Sequence, residues 1–236
     1  MTERLYLTDS YMKEFEATVT KVSEGKYAVL NRTAFYAISG GQPNDTGKLI
    51  VNGDELNVVF VKAFGEEVSH EIEGGEIKEG DKVKGIIDWR KRFKLMRMHS
   101  SAHILAAVIY KELGSLITGG QLGEEKSRMD FNVRDFDREL LTAFEEKANA
   151  VVKQAIPITV EFLPYEEAMA MPEIFRLKNV LPKNLKELRV VKMGDFDAQA
   201  DGGTHVGNTS EVGKIHITKL ENKGAENRRI CWVLGD

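Results

Sequence analysis

The hydrophobic pattern of this 236-residue chain changes its period near Trp89. Before that point, short segments alternate apolar and polar residues, and turns that contain glycine separate them. One such turn, Asn52-Gly53, joins residues 48–51 to residues 56–61 and is typical of a two-residue β-hairpin. Many short strands joined by tight turns predict a small β-barrel.

From Trp89 onward the apolar residues recur every three or four positions, which predicts a helix that ends before Gly114. A second helix is predicted over residues 137–154, and strands are predicted over residues 158–163, 188–191, 214–218 and 228–234. We therefore expect an α+β fold with an N-terminal small β-barrel domain over residues 1–88. A second domain with an antiparallel sheet and packed helices is expected over residues 89–236.

The composition excludes several classes of protein. Hydrophobic residues make up 42% of the chain and charged residues 30%, as in soluble globular proteins. No apolar run approaches the ~20 residues that a membrane helix needs, and the start lacks a signal-peptide core. The single cysteine, Cys231, suits a reducing compartment, so we expect a cytoplasmic protein. A net charge of −4 argues against a chain that coats nucleic acid but permits a local basic surface, and it leaves the oligomeric state open.

Three of the five histidines fall into two short blocks. His99 and His103 are four residues apart, which on a helix is a rise of about 6 Å on nearly the same face. Two such imidazoles can bind one cation, and the distant His205 can complete the site. The pair alone is weak evidence, but it lies beside an apolar stripe, where imidazoles need polar partners or a cation. His70 is expected to be exposed and structural, and His216 is left outside the ligand set.

Gly40 and Gly41 begin an unusual polar stretch that ends in Asp45-Thr46-Gly47. Paired glycines permit a tight backbone and a close approach to a binding partner. On these residues alone, a plain turn is the commoner explanation and a functional loop is the alternative.

A cluster of cations and aromatic residues precedes the histidine pair. Lysine and arginine bind phosphates, and aromatic rings between them can stack on an unpaired base. RNA contact is therefore predicted here, with a solvated helix start as the alternative. The predicted RNA-binding residues are Arg90, Lys91, Arg92 and Lys94.

Five segments, taken in order, resemble the editing region of alanyl-tRNA synthetases and their free-standing relatives, the AlaX family. They are GGQPNDTG at residues 40–47, HSSAH at 99–103, RMDF at 128–131, GGTHV at 202–206 and NTSEVG at 208–213. Each segment is short, but the ordered set is specific and spans nearly the whole chain. The N-terminal barrel is typical of the longer AlaX type.

The resemblance implies a trans-acting hydrolase that deacylates mischarged tRNA(Ala), releasing serine and, as a further candidate, glycine. It also implies one zinc ion per chain, and residues 89–236 would then be a metal-dependent editing domain. The expected partner is tRNA(Ala) that carries a wrong amino acid, and no membrane is expected. The predicted catalytic and metal-binding residues are His99, His103, Asp201 and His205.

Asp201 departs from the family pattern, which commonly has cysteine four residues before the last histidine. An aspartate oxygen also binds zinc, although less tightly than a thiolate. We favour Asp201 as a direct ligand. The alternative is that Asp201 does not contact the metal and instead orients a metal-binding histidine through a hydrogen bond.

Selecting serine over alanine requires a group that hydrogen-bonds the extra hydroxyl. Thr118 is the candidate and Gln121 the alternate, although the Thr118 hydroxyl could instead bond its own backbone in a turn. By the resemblance, Gly40 and Gly41 would lie at the mouth of the substrate pocket. The metal either activates water or holds the substrate's amino group, and both roles stay open.

Two other functions compete with editing. One is a tRNA-binding module with a structural metal and no catalysis, which the aspartate at position 201 supports. The other is a metal-dependent hydrolase of small esters or amides. Ser100 and Ser101 lie between the two histidines. Ser100 occupies the position of the glutamate base in His-Glu-x-x-His peptidases, so that base is absent.

Overall fold

The structure is a computed structural model that describes residues 1–134, 138–171, 174–176 and 186–235. It contains two compact units, Met1–Leu95 and Met96–Asp236. The boundary between the units lies inside the helix α1 (Trp89–Leu113). The division into functional domains at residues 88 and 89 stays a prediction. Within the described ranges, each helix is too short or too polar to span a lipid bilayer.

The first unit contains a closed barrel of antiparallel strands, as the sequence predicts. A short parallel pair, β1 (Glu3–Arg4) with β4 (Arg32–Thr33), belongs to the same unit. In the order in which neighbours pair, the barrel strands are β2 (Glu14–Ser23), β3 (Tyr27–Leu30), β7 (Glu67–Glu73), β6 (Asp54–Phe64), β5 (Gly47–Val51) and β8 (Lys82–Ile87), which pairs with β2.

Local sequence explains how β5 and β6 form. Asn52 and Gly53 have φ values of 53° and 97°, the conformation of the two-residue turn that joins twisted antiparallel strands. Along β6, Val58 faces the core. A register shift between Val58 and Phe60 then changes which of the alternating side chains face the core. As a result Val61 is fully buried, whereas Phe60 is 38% exposed.

His70 lies on β7 and is fully buried, so the expectation that it is exposed was wrong. One ring nitrogen lies 2.9 Å from Thr33 Oγ1, and the other lies 3.1 Å from the Ala28 carbonyl oxygen. Burial lowers the pKa of His70 to about 4, against the opposing effect of the Ala28 hydrogen bond. A neutral imidazole whose two nitrogens both have hydrogen-bond partners can lie in the core without leaving a polar group unpaired.

In the part of the second unit that the structure describes, helices are combined with two antiparallel sheets, which confirms the α+β class. One sheet has the order β14-β15-β10-β9, and its strands are β9 (Ile117–Gln121), β10 (Ser127–Phe131), β14 (Ile215–Asn222) and β15 (Arg228–Leu234). The other has the order β11-β12-β13, with β11 (Ile158–Pro164), β12 (Glu187–Met193) and β13 (Asp197–Ala200). The strands β9, β10 and β13 were not predicted.

Helix α1 begins and ends at the predicted residues. Gly114 has a φ of 64°, and its N–H donates to the Tyr110 carbonyl oxygen at 2.7 Å, as in a left-handed helix cap. Among the described residues, the other α-helices are α2 (Arg138–Lys153) and α3 (Tyr165–Met169), and short 3-10 helices lie at Leu5–Leu7 and Thr209–Val212. Residue 137, where the second helix was predicted to begin, lies outside the described residues. Cys231 is a buried free thiol on β15.

Candidate metal centre

Four residues that the sequence singled out as metal ligands meet in the second unit. His99 and His103 come from α1, and Asp201 and His205 come from the segment that follows β13. One ligand atom of each residue lies within 4.8 Å of the others. The ring centroid of His205 lies 4.3 Å from that of His99 and 4.6 Å from that of His103. Residues about a hundred positions apart in the chain therefore form one cluster.

Asp201 lies between two of the imidazoles. Its Oδ1 is 3.5 Å from His99 Nε2, and its Oδ2 is 3.0 Å from His205 Nε2. Ligand atoms of a tetrahedral zinc ion lie about 3.3 Å apart, because each bond is about 2.0–2.2 Å long. The spacing around Asp201 therefore matches the spacing that direct ligation requires.

The donor set fits the metal that the resemblance implies. Three imidazoles and one carboxylate suit zinc and other divalent ions of the first transition row. In addition, the buried His103 Nδ1 has no hydrogen-bond partner among the described residues, and Asp197 Oδ2 lies 3.9 Å away. Asp197 in turn accepts hydrogen bonds from Arg176 at 2.9 Å and Gln199 at 2.6 Å. A bound cation would fix the orientation of this ring.

The electrostatics of the cluster favour metal binding. Burial lowers the pKa of His99 to about 4, although the Asp201 carboxylate acts in the opposite direction. Burial also holds the pKa of His205 well below its ordinary value. Burial raises the pKa of Asp201, but His99 and His205 outweigh that effect and hold the pKa well below the usual range. Neutral imidazoles and an ionised carboxylate are the forms that ligate metals.

Hydrogen bonds of the backbone and of side chains fix the segment that carries Asp201. The Asp201 N–H donates to the Arg189 carbonyl oxygen at 3.2 Å, and Arg189 Nη1 donates to the Asp201 carbonyl oxygen at 2.7 Å. The Gly203 N–H donates to Asp201 Oδ2 at 2.6 Å. Arg189 is thus a supporting residue that was not predicted. Its position in a predicted strand was the available signal, since a cation among buried strand residues needs an anionic or carbonyl partner.

The predicted substrate-binding residues of the second unit lie on β9, and both are exposed. Thr118 Oγ1 donates to Asn227 Oδ1 at 2.8 Å, so it does not bond its own backbone as the alternative proposed. Gln121 Oε1 accepts a hydrogen bond from Arg128 at 3.1 Å. A role for Thr118 and Gln121 in binding substrate stays a prediction.

Gly40 and Gly41 form a tight exposed turn in the first unit. Their φ values of 56° and 84° lie in the left-handed region, which glycine adopts at little cost. The Gln42 N–H donates to the Ser39 carbonyl oxygen at 2.8 Å and closes the turn. The conformation of the turn thus accounts for the two glycines. Their approach to a substrate stays a prediction.

The prediction that Arg92 binds RNA is wrong. Arg92 is fully buried in the first unit. Its Nε lies 3.0 and 2.9 Å from the two carboxylate oxygens of Asp45, and its Nη1 donates to the Ser10 carbonyl oxygen at 2.9 Å. The guanidinium therefore cannot reach a phosphate. Arg90 is exposed, and Lys91 and Lys94 are half-buried, so RNA contact by these three stays a prediction.

Comparison with known proteins identifies the family. The chain is 46% identical to the alanyl-tRNA editing protein AlaX-M of Methanosarcina barkeri, over the full length of both chains. The chain belongs to the AlaX family of alanyl-tRNA editing proteins. Another AlaX-M protein, from Saccharolobus solfataricus, is 43% identical over 99% of each chain.

The AlaX chain also resembles part of larger enzymes. It is 40% identical to the alanine–tRNA ligase of Pyrococcus abyssi, a match that covers all of this chain and 26% of the ligase. The family model for the second additional domain of threonyl and alanyl tRNA synthetases matches residues 188–231, which include Asp201 and His205. The model for class II (A) tRNA synthetases matches residues 5–91. The resemblance inferred from the ordered motifs is confirmed.

Proposed function

We propose that the chain is a trans-acting deacylase that hydrolyses the ester of mischarged tRNA(Ala). The proposed main substrate is Ser-tRNA(Ala), and Gly-tRNA(Ala) is the second substrate to be tested. The observation that carries this proposal is the buried cluster of His99, His103, Asp201 and His205 in a member of the AlaX family. The names of the full-length relatives, which describe alanyl-tRNA editing, support it. We further propose that the protein acts in the cytoplasm.

The proposed cofactor is one zinc ion per chain, held by these four residues. When bound, zinc supplies Lewis-acid catalysis of ester hydrolysis. The chain contributes three imidazoles, of which burial lowers the pKa of His99 and His205, and a carboxylate that offsets part of the charge. Asp201 has 21% of its side chain exposed, more than any of the three histidines. The cluster is therefore most open to solvent and substrate on the side of Asp201.

Selection among amino acids is proposed to depend on hydrogen bonding to the serine hydroxyl by Thr118 or Gln121. An alanine side chain would leave such a polar group without its partner, and this costs binding free energy. The backbone of Gly40 and Gly41 is proposed to approach the aminoacylated end of the tRNA, where a side chain would obstruct it.

The number of ligands favours a second candidate function. Four protein donors complete a tetrahedral zinc site, and closed sites of this kind are structural. The chain would then be a tRNA-binding module that holds a metal without catalysis. Catalysis requires that one of the four positions opens to water or substrate, and Asp201 is the candidate because it is the most exposed ligand.

Deacylation of Ser-tRNA(Ala) by the zinc-loaded protein tests the proposal. Release of serine is expected, with little release of alanine from Ala-tRNA(Ala), and Gly-tRNA(Ala) is measured beside them. The variant His99→Ala should be inactive. His216→Ala is the matched control, because His216 is an exposed histidine that contacts Glu145 at 3.2 Å, away from the cluster.

A metal-loaded protein that binds tRNA(Ala) but releases no serine would support the binding module instead. Turnover of small esters that tRNA does not inhibit would point to a small-ester hydrolase. Either result contradicts the editing proposal.

A further inference from the structure

Ser100 is a fully buried residue of α1 that adjoins the cluster without being one of its predicted ligands. Its Oγ lies 3.1 Å from His205 Nδ1 and accepts the Val206 N–H at 3.2 Å. The opposite nitrogen of the same ring, His205 Nε2, lies 3.0 Å from Asp201 Oδ2. The imidazole of His205 is therefore held between a hydroxyl and a carboxylate.

The position of the single proton on this neutral ring depends on what Nε2 faces. An ionised carboxylate only accepts hydrogen bonds, so facing Asp201 requires the proton on Nε2 and leaves Nδ1 as an acceptor. A cation at Nε2 requires a lone pair there, which places the proton on Nδ1. Ser100 can serve both forms, because a hydroxyl donates one hydrogen bond and accepts others.

We propose that Ser100 is a positioning residue for His205 whose hydroxyl changes from donor to acceptor when a metal ion binds. The proposal rests on metal binding by the cluster and not on the reaction. In the change, one proton leaves Nε2 and one is bound at Nδ1, so the imidazole stays neutral. Without the hydroxyl, the buried Nδ1–H would lose its hydrogen bond to Ser100 in the metal-bound form, and metal binding would bear that cost.

Ser101 provides a matched control within the same turn of α1. It is also fully buried, but its Oγ donates to the Met98 carbonyl oxygen at 2.7 Å and accepts the Trp232 Nε1–H at 2.8 Å. Removal of either hydroxyl leaves a buried polar group without its partner. Of these two hydroxyls, the one of Ser100 bonds a histidine of the cluster, and the one of Ser101 bonds Met98 and Trp232.

Zinc affinity, measured by competition with a chromophoric chelator, tests the proposal. Ser100→Ala should bind zinc about 10–100-fold more weakly, which is the range seen when a residue that hydrogen-bonds a metal ligand is replaced. Ser101→Ala should bind within a few-fold of the unaltered protein even though its melting temperature falls, and Ser100→Thr should restore affinity. Ser100→Ala with unaltered affinity, or Ser101→Ala with an equal loss, would overturn the proposal.

Nitrogen-15 NMR of the histidine rings gives a second test that needs no variant at position 100. The His205 proton should be on Nε2 in the metal-free protein and on Nδ1 after zinc is added. The same tautomer in both samples, or a protein that takes up no zinc, would overturn the proposal. Because neither measurement involves tRNA, a protein that fails to deacylate tRNA can still pass both.

Discussion

Asp45 and Arg92 form an ion pair in which both side chains are completely buried within the first unit. Arg92 also donates to the Ala34 carbonyl oxygen at 2.5 Å, and the carboxylate of Asp45 accepts the Tyr36 N–H at 2.6 Å. The pair thus connects the first turn of α1 to the polar stretch that begins at Gly40. Removal of one partner would leave a buried charge without compensation.

We therefore expect Asp45→Ala to lower the free energy of unfolding by about 3–5 kcal/mol. Urea denaturation followed by circular dichroism measures this loss. Glu55→Ala is the control, because Glu55 pairs with Lys48 at 2.5 Å on the exposed surface and such pairs contribute about 0–1 kcal/mol. Equal losses in the two variants would contradict the assignment of Asp45 and Arg92 as a structural pair.

The burial of Arg92 was only partly predictable from the sequence. A run of cations suggests a solvated surface, but Arg92 lies three residues before Leu95 and four before Met96, both fully buried. Residues at these spacings share a helix face. Arg92 therefore lies on the buried face of α1, whereas Arg90 lies on its exposed face. Its partner could not be identified, because the barrel brings Asp45 to it from 47 residues away.

His70 should make stability depend on pH. Its pKa is about 4 in the folded protein and near 6.5 when exposed. Protonation therefore favours the unfolded chain. The contribution of neutral His70 is complete above pH 6.5 and is lost as the pH falls from about 6.5 to about 4. The shift corresponds to about 3 kcal/mol.

Urea unfolding of the unaltered protein and of His70→Gln at pH 7.5, 5.5 and 4 isolates this effect, because other buried histidines contribute equally to both. The advantage of histidine over glutamine should shrink by about 3 kcal/mol across the series. His216→Gln, which changes an exposed histidine, is measured beside it as the control. A stability difference between the unaltered protein and His70→Gln that does not vary with pH would show that His70 is not buried as described.

Asp201→Cys is expected to tighten zinc binding, because a thiolate is a softer and stronger zinc ligand than a carboxylate. Asp201→Ala should weaken it, since the carboxylate oxygens lie 3.5 and 3.0 Å from two histidine nitrogens. Chelator competition measures both affinities. Asp195→Ala, which alters an exposed acid six residues earlier, is the control. If Asp201→Ala binds zinc unchanged, Asp201 only orients His205.

The residues of the cluster were predictable from the sequence, but the contacts that support them were not. His99, His103 and His205 follow from histidine spacing and motif order, which are properties of the sequence. Ser100 contacts His205 only because the segment after β13 packs on α1, and β13 was not predicted. Short strands such as β13, which has four residues, give too few alternating positions for a periodic signal.

The remaining basic residues before the histidine pair are predicted to bind tRNA. Arg90→Ala and Lys91→Ala should weaken binding of tRNA(Ala), and each should reduce the slope of log affinity against log salt by about 0.7–1, because each removes one phosphate contact. Lys84→Ala is the control, since Lys84 pairs with Glu14 at 2.6 Å on the barrel surface. Filter binding at several salt concentrations measures the slopes. Slopes for Arg90→Ala and Lys91→Ala that match the Lys84→Ala control would show that this cluster is a solvated start of α1, because only residues that displace counterions from the RNA alter the salt dependence.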